Sequence, residues 1–283
     1  MPDPIRRTVR TSDGARLATF VREGEGPTIV LAHGWTNSHQ VWHRVLDALG
    51  PDARVVTYDQ RGHGRSTLAG GTHRSRGESI KRLGRDLAEV IAATAPEGRL
   101  VLGGHSMGGM TVMAYAGLAG PEALARIDRV SLIGTAAGEL RGAGLPAEAQ
   151  IMRAMSLLPT RTKLGRLVST KRTRSYTFGE DPREEDVRLA RQLSARTTMV
   201  TYGSFYGALM QHDEREALQH LAPIPTTILV GELDKLTPKG LARRMAERMP
   251  EAHLEIVPRA GHMLPLERPE LVAATLTDPA KRQ

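Results

Sequence analysis

The ten residues Leu100-Val101-Leu102-Gly103-Gly104-His105-Ser106-Met107-Gly108-Gly109 constrain this chain more than any others. Their first part reads as a buried strand, and the residues from Met107 to Leu118 read as a helix that stops at Gly120-Pro121. No loop separates the two, so the chain must turn sharply at Ser106. Glycines on either side remove side chains where strand and helix approach each other, and the turn itself is a strained one. It lifts the serine hydroxyl clear of the sheet. It also sets the Met107 amide at a helix N-terminus, where a developing negative charge is stabilised.

Gly-x-Ser-x-Gly is a weak signal by itself. Average residue usage produces it by chance in roughly one chain in ten of this length, and a serine before a helix is an ordinary cap. The surrounding pattern gives it weight. Buried-strand runs at 28–32, 54–58, 100–103, 130–133, 226–230 and 254–257 alternate with helical periodicity, as in Leu83, Leu87, Val90 and Ile91. Such alternation predicts a largely parallel α/β sheet with flanking helices. Asp13-Gly14 between 8–11 and 17–22 predicts a hairpin, and so an antiparallel beginning.

Three further pieces follow the ends of strands. His33-Gly34-Trp35 comes directly after the first strong strand, where Gly34 permits a turn and the Trp35 amide becomes a second oxyanion donor; His33 reads as a turn-stabilising partner rather than a base. Gly231-Glu232-Leu233-Asp234 follows the strand at 226–230 and offers a carboxylate, with Asp234 preferred and Glu232 and Glu139 as alternatives. Gly261-His262 follows the last strand and offers an imidazole, which a serine hydroxyl requires before it is nucleophilic. The order Ser106, Asp234, His262 differs from the two common serine-protease orders. All the pieces sit at the carboxyl edge of the sheet, where open α/β sheets bind ligands.

Taken together, these segments resemble the α/β-hydrolase superfamily over nearly the whole chain: His33-Gly34-Trp35, Asp59-Gln60-Arg61-Gly62-His63-Gly64-Arg65-Ser66, Gly104 to Gly109, Gly231 to Asp234, and Gly261-His262. The resemblance implies an eight-stranded, mostly parallel sheet with an inserted helical cap and no cofactor. It also implies carboxylic ester, lactone or thioester hydrolysis through an acyl-Ser106 intermediate. The Asp59 segment corresponds to a structural loop of that family. Ser106 stands where epoxide hydrolases and haloalkane dehalogenases carry an aspartate nucleophile, and Thr36 stands where epoxide hydrolases usually have proline, which disfavours both subclasses. Acyl transfer and cofactor-free perhydrolysis use the same residues and stay open, as does a ligand receptor on a hydrolase scaffold.

The strand alternation lapses between residues 138 and 220, a stretch too long for a plain loop. The expected division is therefore a core of 1–137 and 221–283 with a helical cap at 138–220. Three of the five Tyr and two of the three Phe fall between Tyr176 and Tyr206. Tyr202, Phe205 and Tyr206 share one helical face, so Trp35, Tyr176, Phe178, Tyr202, Phe205 and Tyr206 are candidate contacts for an apolar, ester-like small molecule; ordinary cap-to-core packing is the plainer alternative.

Composition narrows the rest. The 283 residues are 40% hydrophobic and 25% charged, typical of a folded globule, and with no Cys there is no thiol catalysis, thiolate metal site or disulfide framework. A net charge of +8 invites a nucleic-acid reading. The arginines are scattered, however, and no binding motif accompanies them. The densest basic stretch, Lys171-Arg172-Thr173-Arg174 with Arg161, Lys163 and Arg166 before it, reads as a solvated face or a steering patch for anions. His39 and His43 have the spacing of metal ligands without partners, and read as surface residues. Neither a secretory signal nor a membrane span is expected, so a cytoplasmic location is.

Overall fold

Short apolar runs, the central ones buried on both faces, assemble in the computed structural model into one sheet; residues 4–71, 77–140, 147–158, 162–163, 165 and 168–277 are described. Its strands are β1 (Ile5–Arg10), β2 (Arg16–Arg22), β3 (Glu25–Ala32), β4 (Ala53–Tyr58), β5 (Leu100–His105), β6 (Ile127–Ile133), β7 (Thr226–Gly231) and β8 (His253–Val257). The eight lie in the order β1-β2-β4-β3-β5-β6-β7-β8. β1 and β2 pair antiparallel, as do β2 and β4, and every other pair is parallel. The strand order reverses around β3, so crossover helices cover both faces, and the carboxyl ends of β3 and β5 stand where open α/β sheets bind ligands.

Side-chain alternation divides the core in two. Val30, Ala32, Leu100, Leu102, Val130, Leu132, Ile228 and Val230 face the helices Ile80–Thr94 and Met107–Leu118. Ile29, Leu31, Val101 and Leu229 face the other way, onto Val45 of the helix His43–Ala48 and Val272 and Leu276 of Pro269–Thr277. Each such side chain contributes roughly 1.5–3 kcal/mol when fully buried. This is enough to fix register, since a slip by one residue would exchange the two faces.

The hairpin forms earlier than the sequence pattern suggests. β1 begins at Ile5, paired with Val21, and not at residue 8. Of its six side chains only Val9 is buried, so this edge strand carries no burial signal to read.

Between β6 and β7, among the described residues, the chain supplies helices and a single isolated bridge, Lys163 to Thr198. The helices are Glu148–Ser156, Thr170–Thr177, Glu184–Arg196, Met199–Gln211 and Leu218–Leu221. Glu184–Arg196 starts with three acids and ends with Arg196, which suits the helix dipole, and buries Val187, Ala190 and Leu193 along one face. No described helix is long and apolar enough to cross a membrane.

Candidate active site

β5 ends at His105, and Ser106 takes φ 54 and ψ −119, a conformation that costs a non-glycine residue on the order of 1–3 kcal/mol. The turn is held from both sides. The Ser106 amide donates to the Ile133 carbonyl at 2.9 Å, and its own carbonyl accepts from the Gly109 amide at 2.9 Å and the Thr135 hydroxyl at 2.7 Å. Gly108 is obligatory, because a Cβ there would lie 1.9 Å from the Ala32 carbonyl oxygen. Met107, the first helical residue, keeps an amide with no intrahelical acceptor.

After β3, a turn closes from the Asn37 amide to the Gly34 carbonyl at 3.2 Å, with Thr36 at φ 61 in the position where a type II turn takes a positive φ. A Cβ on Gly34 would stand 3.1 Å from the Ser106 Cβ, so the Trp35 turn and the serine lie side by side. His33 organises this turn from beneath. Its Nδ1 donates to the Gly34 carbonyl at 2.7 Å while its Nε2 accepts from the Gln60 amide at 2.9 Å. Burial pushes it down to about 4 and so keeps it neutral. The Gln60 side chain bonds the His33 carbonyl and accepts from Thr111 of the serine's helix.

His262 and Asp234 meet beyond β8 and β7. His262 Nδ1 donates to Asp234 Oδ2 at 2.8 Å, and both side chains are almost wholly buried. The same Oδ2 accepts from the Thr237 hydroxyl at 2.8 Å; Oδ1 accepts from the amides of Leu236 at 2.8 Å and Thr237 at 2.9 Å. Burial alone would push this carboxyl up. His262 and the Thr237 donors outweigh that and hold it below the ordinary aspartate value. An Nδ1–H tautomer leaves His262 Nε2 with a free lone pair.

Two contacts join this pair to the serine's turn. His105, immediately before Ser106, donates from Nε2 to the His262 carbonyl at 2.8 Å, with the rings 4.8 Å apart. Burial, reinforced by His262, pushes His105 down to about 3. Gly134, next to the Ile133 that binds the Ser106 amide, would carry a Cβ 3.4 Å from Asp234 Oδ2 and 3.6 Å from His262 Nδ1. The His262 imidazole, the Asp234 carboxylate bonded to it, a strained serine and two amide-bearing turns thus share one corner of the sheet edge.

The alternative acids lie elsewhere. Glu232 reaches Lys239 and the Arg259 amide, and Glu139 pairs with Arg215 and Arg244. Asp59 is engaged by the His39 amide and ring and by the Arg65 amide, each at 2.8 Å. His39 is half-buried rather than freely solvated: it pairs with Asp59 and stacks on Phe20 with ring centroids 3.6 Å apart, whereas His43 is exposed. No group of three metal-ligating side chains forms among the described residues.

The aromatic set divides. Tyr202 packs on Trp35 with centroids 4.3 Å apart, and Tyr206 lies 6.4 Å from it. Phe205 is fully buried against His63, and Phe178 sits in the core with Val187 and Leu264, so both are accounted for as packing residues. Tyr176 is half exposed beneath the Arg172 guanidinium. In the basic stretch Lys171 and Arg172 are exposed and Arg174 pairs with Glu184; Arg161 and Arg166 lie outside the described residues. Sequence reasoning missed His105, Thr135 and Thr237. The Asp-x-x-Thr spacing of a capping turn was the one signal available for Thr237.

Known proteins resemble this chain over most of its length. 3-Oxoadipate enol-lactonase 1 of Acinetobacter baylyi is 28% identical over 264 residues, 93% of this chain and 92% of that protein. A pimeloyl-[acyl-carrier protein] methyl ester esterase of Pectobacterium carotovorum is 27% identical over 256 residues, 88% of this chain and 92% of its own. The crystal structure of a hydrolase from Pseudomonas aeruginosa superposes with a TM-score of 0.77 at 25% identity, covering 95% of this chain and 96% of that one. The model of the alpha/beta hydrolase fold family matches residues 27–269, and the chain belongs to that family.

Proposed function

We propose that the chain is a serine hydrolase that cleaves a carboxylic ester, lactone or thioester through an acyl-Ser106 intermediate, with His262 as base and Asp234 as its orienting acid. The 2.8 Å contact between His262 Nδ1 and Asp234 Oδ2, at the same sheet corner as the strained Ser106, is the observation that carries this reading. Relatives named as an enol-lactonase and a methyl ester esterase support the substrate class.

In this reaction the Ser106 Oγ attacks the acyl carbon while His262 Nε2 takes the hydroxyl proton. The amides of Trp35 and Met107 hold the carbonyl oxygen as it gains charge. Collapse breaks the bond to the leaving oxygen or sulfur, which receives the proton from His262. Water then attacks the acyl carbon, gives its proton to His262, and the carboxylic acid departs as Ser106 recovers its own.

Residues 138–220 serve as a cap in this reading, with Tyr202 and Tyr206 packed on Trp35 forming an apolar wall beside the nucleophile. The natural substrate is then a small molecule with an apolar acyl or ring portion. A p-nitrophenyl ester series of rising chain length, run beside lactones and thioesters, reads the class. Ser106→Ala should lower kcat by about three to six orders of magnitude, and a fluorophosphonate probe should label Ser106. Full activity in Ser106→Ala, or labelling at another residue, overturns the reading.

A further inference from the structure

Glu267 closes the short helix Leu264–Glu267 that follows His262, and neither its chemistry nor its place marks it in the sequence. Its carboxylate gathers backbone amides from two parts of the chain. Oε1 accepts from Met263 at 3.0 Å, and Oε2 accepts from Gly261 at 3.0 Å and from Gly179 at 2.8 Å. The amides of the residues immediately before and after His262 are thus held by one side chain. A carboxylate that reaches back to the amide at the start of its own helix is ordinary capping. The Gly179 amide, 88 residues away in the segment between β6 and β7, is not.

That segment is pinned to the base loop at further points. The Thr177 carbonyl accepts from the His262 amide at 2.9 Å and the Met263 amide at 3.1 Å, and the Glu180 amide donates to the Arg259 carbonyl at 2.9 Å. Lys235 Nζ, next to Asp234, donates to the Ser175 carbonyl at 2.7 Å. The backbones touch so closely that a Cβ on Gly179 would fall 2.1 Å from the Arg259 carbonyl oxygen. Residues 175–180 therefore form a strap across the loop that carries His262, and Glu267 joins strap to loop.

We propose that Glu267 is a positioning residue for His262, holding the loop around the base against the strap 175–180 so that the insertion sets the orientation of the imidazole. This rests on His262 being the base. A carboxylate suits the task because all its partners are N–H donors, and a side-chain amide of the same size would turn an N–H toward one of them. A misplacement of the base by about 1 Å is enough to lower the rate up to roughly a hundredfold.

The test is a double-mutant cycle on a p-nitrophenyl ester, with kcat and KM measured separately. Glu267→Gln should lower kcat by about tenfold to a hundredfold with KM within about twofold, and should slow fluorophosphonate labelling of Ser106 in parallel. In a His262→Ala background the same substitution should change the residual rate by less than about twofold, because the group it acts through is gone. An equal loss in both backgrounds, or an unchanged kcat, overturns the proposal and leaves the triad reading intact. Full activity in His262→Ala removes the triad reading itself. If Glu267→Gln does not fold, Glu267→Asp, which keeps the charge and shortens the reach, enters the cycle with the same criteria.

Discussion

The Thr237 hydroxyl donates to Asp234 Oδ2 at 2.8 Å, the same oxygen that receives His262 Nδ1, and its oxygen also lies 3.3 Å from that nitrogen. Thr237 is thus wedged between Asp234 and His262. Thr237→Val keeps the shape and the backbone donor while removing one hydrogen bond to a buried carboxylate. Such bonds contribute about 1.5–3 kcal/mol, so kcat should fall by roughly tenfold with the fold retained. Steady-state kinetics beside a thermal melt check this; an unchanged kcat would mean that the two Oδ1 amide bonds alone orient the acid.

Three acids were candidates for the orienting role, and only one touches His262. Asp234→Asn should lower kcat by about three to four orders of magnitude, since an amide in that place favours the wrong tautomer. Glu232→Gln and Glu139→Gln should stay within about twofold, because their carboxylates meet Lys239, Arg215 and Arg244 at the surface. Parallel kinetics of the three variants decide the matter, and a large loss at Glu232 would reassign the acid.

Much of this site is written locally. Ser106, Asp234 and His262 each follow a β-branched run that ends in glycine-rich turn chemistry, so strand, turn and reactive side chain can be read within about ten residues. His105, Thr237 and Glu267 are different: their roles exist only because segments 25 to 157 residues apart meet, and no local pattern encodes the meeting. Phe178 and Phe205 show the same limit. An aromatic in a segment of mixed polarity looks alike whether it lines a pocket or fills the core, and here packing against Val187 and His63 decides for the core. His39 reads as a surface residue because its partners Asp59 and Phe20 are distant in the chain.

Gly34 should tolerate nothing larger. A methyl group there would sit 3.0 Å from the buried His105 Nδ1 and 3.1 Å from the half-buried Ser106 Cβ, tighter than ordinary contact with two neighbours on the serine's turn. Neither can yield freely, since His105 is bonded to the His262 carbonyl and Ser106 to Ile133 and Thr135. Gly34→Ala should therefore cost about 1–3 kcal/mol of stability as an overpacking strain and lower kcat/KM by at least roughly tenfold. Urea denaturation and kinetics on the same preparation separate the two effects. Wild-type kcat/KM in this variant would show that the Trp35 turn can shift without disturbing the serine.

Acid should destabilise the protein through its buried histidines. His33 is held down to about 4, and His63 and His105 to about 3, chiefly by burial. In the unfolded chain each titrates near 6.5. Between those limits the unfolded state binds protons that the folded state refuses, so stability falls as pH drops below about 6.5. Glu214 works in the opposite sense: burial pushes it up to about 7, the folded state holds a proton that the unfolded chain releases, and the stability this adds is lost as pH rises through that value. Between pH 6 and 5 three protons oppose one among these four groups, so their share is a net uptake of about two on unfolding and a loss on the order of 2–3 kcal/mol per pH unit, which the raised carboxyls of Glu78, Asp86, Asp186 and Glu267 reduce. Urea titrations across this range should show stability falling toward acid with a slope no steeper than that. Glu214→Gln should steepen it by about one proton and His63→Gln should flatten it by about one; a profile flat from pH 7 to 5 would mean that the three rings take up protons in the folded state as readily as in the unfolded chain.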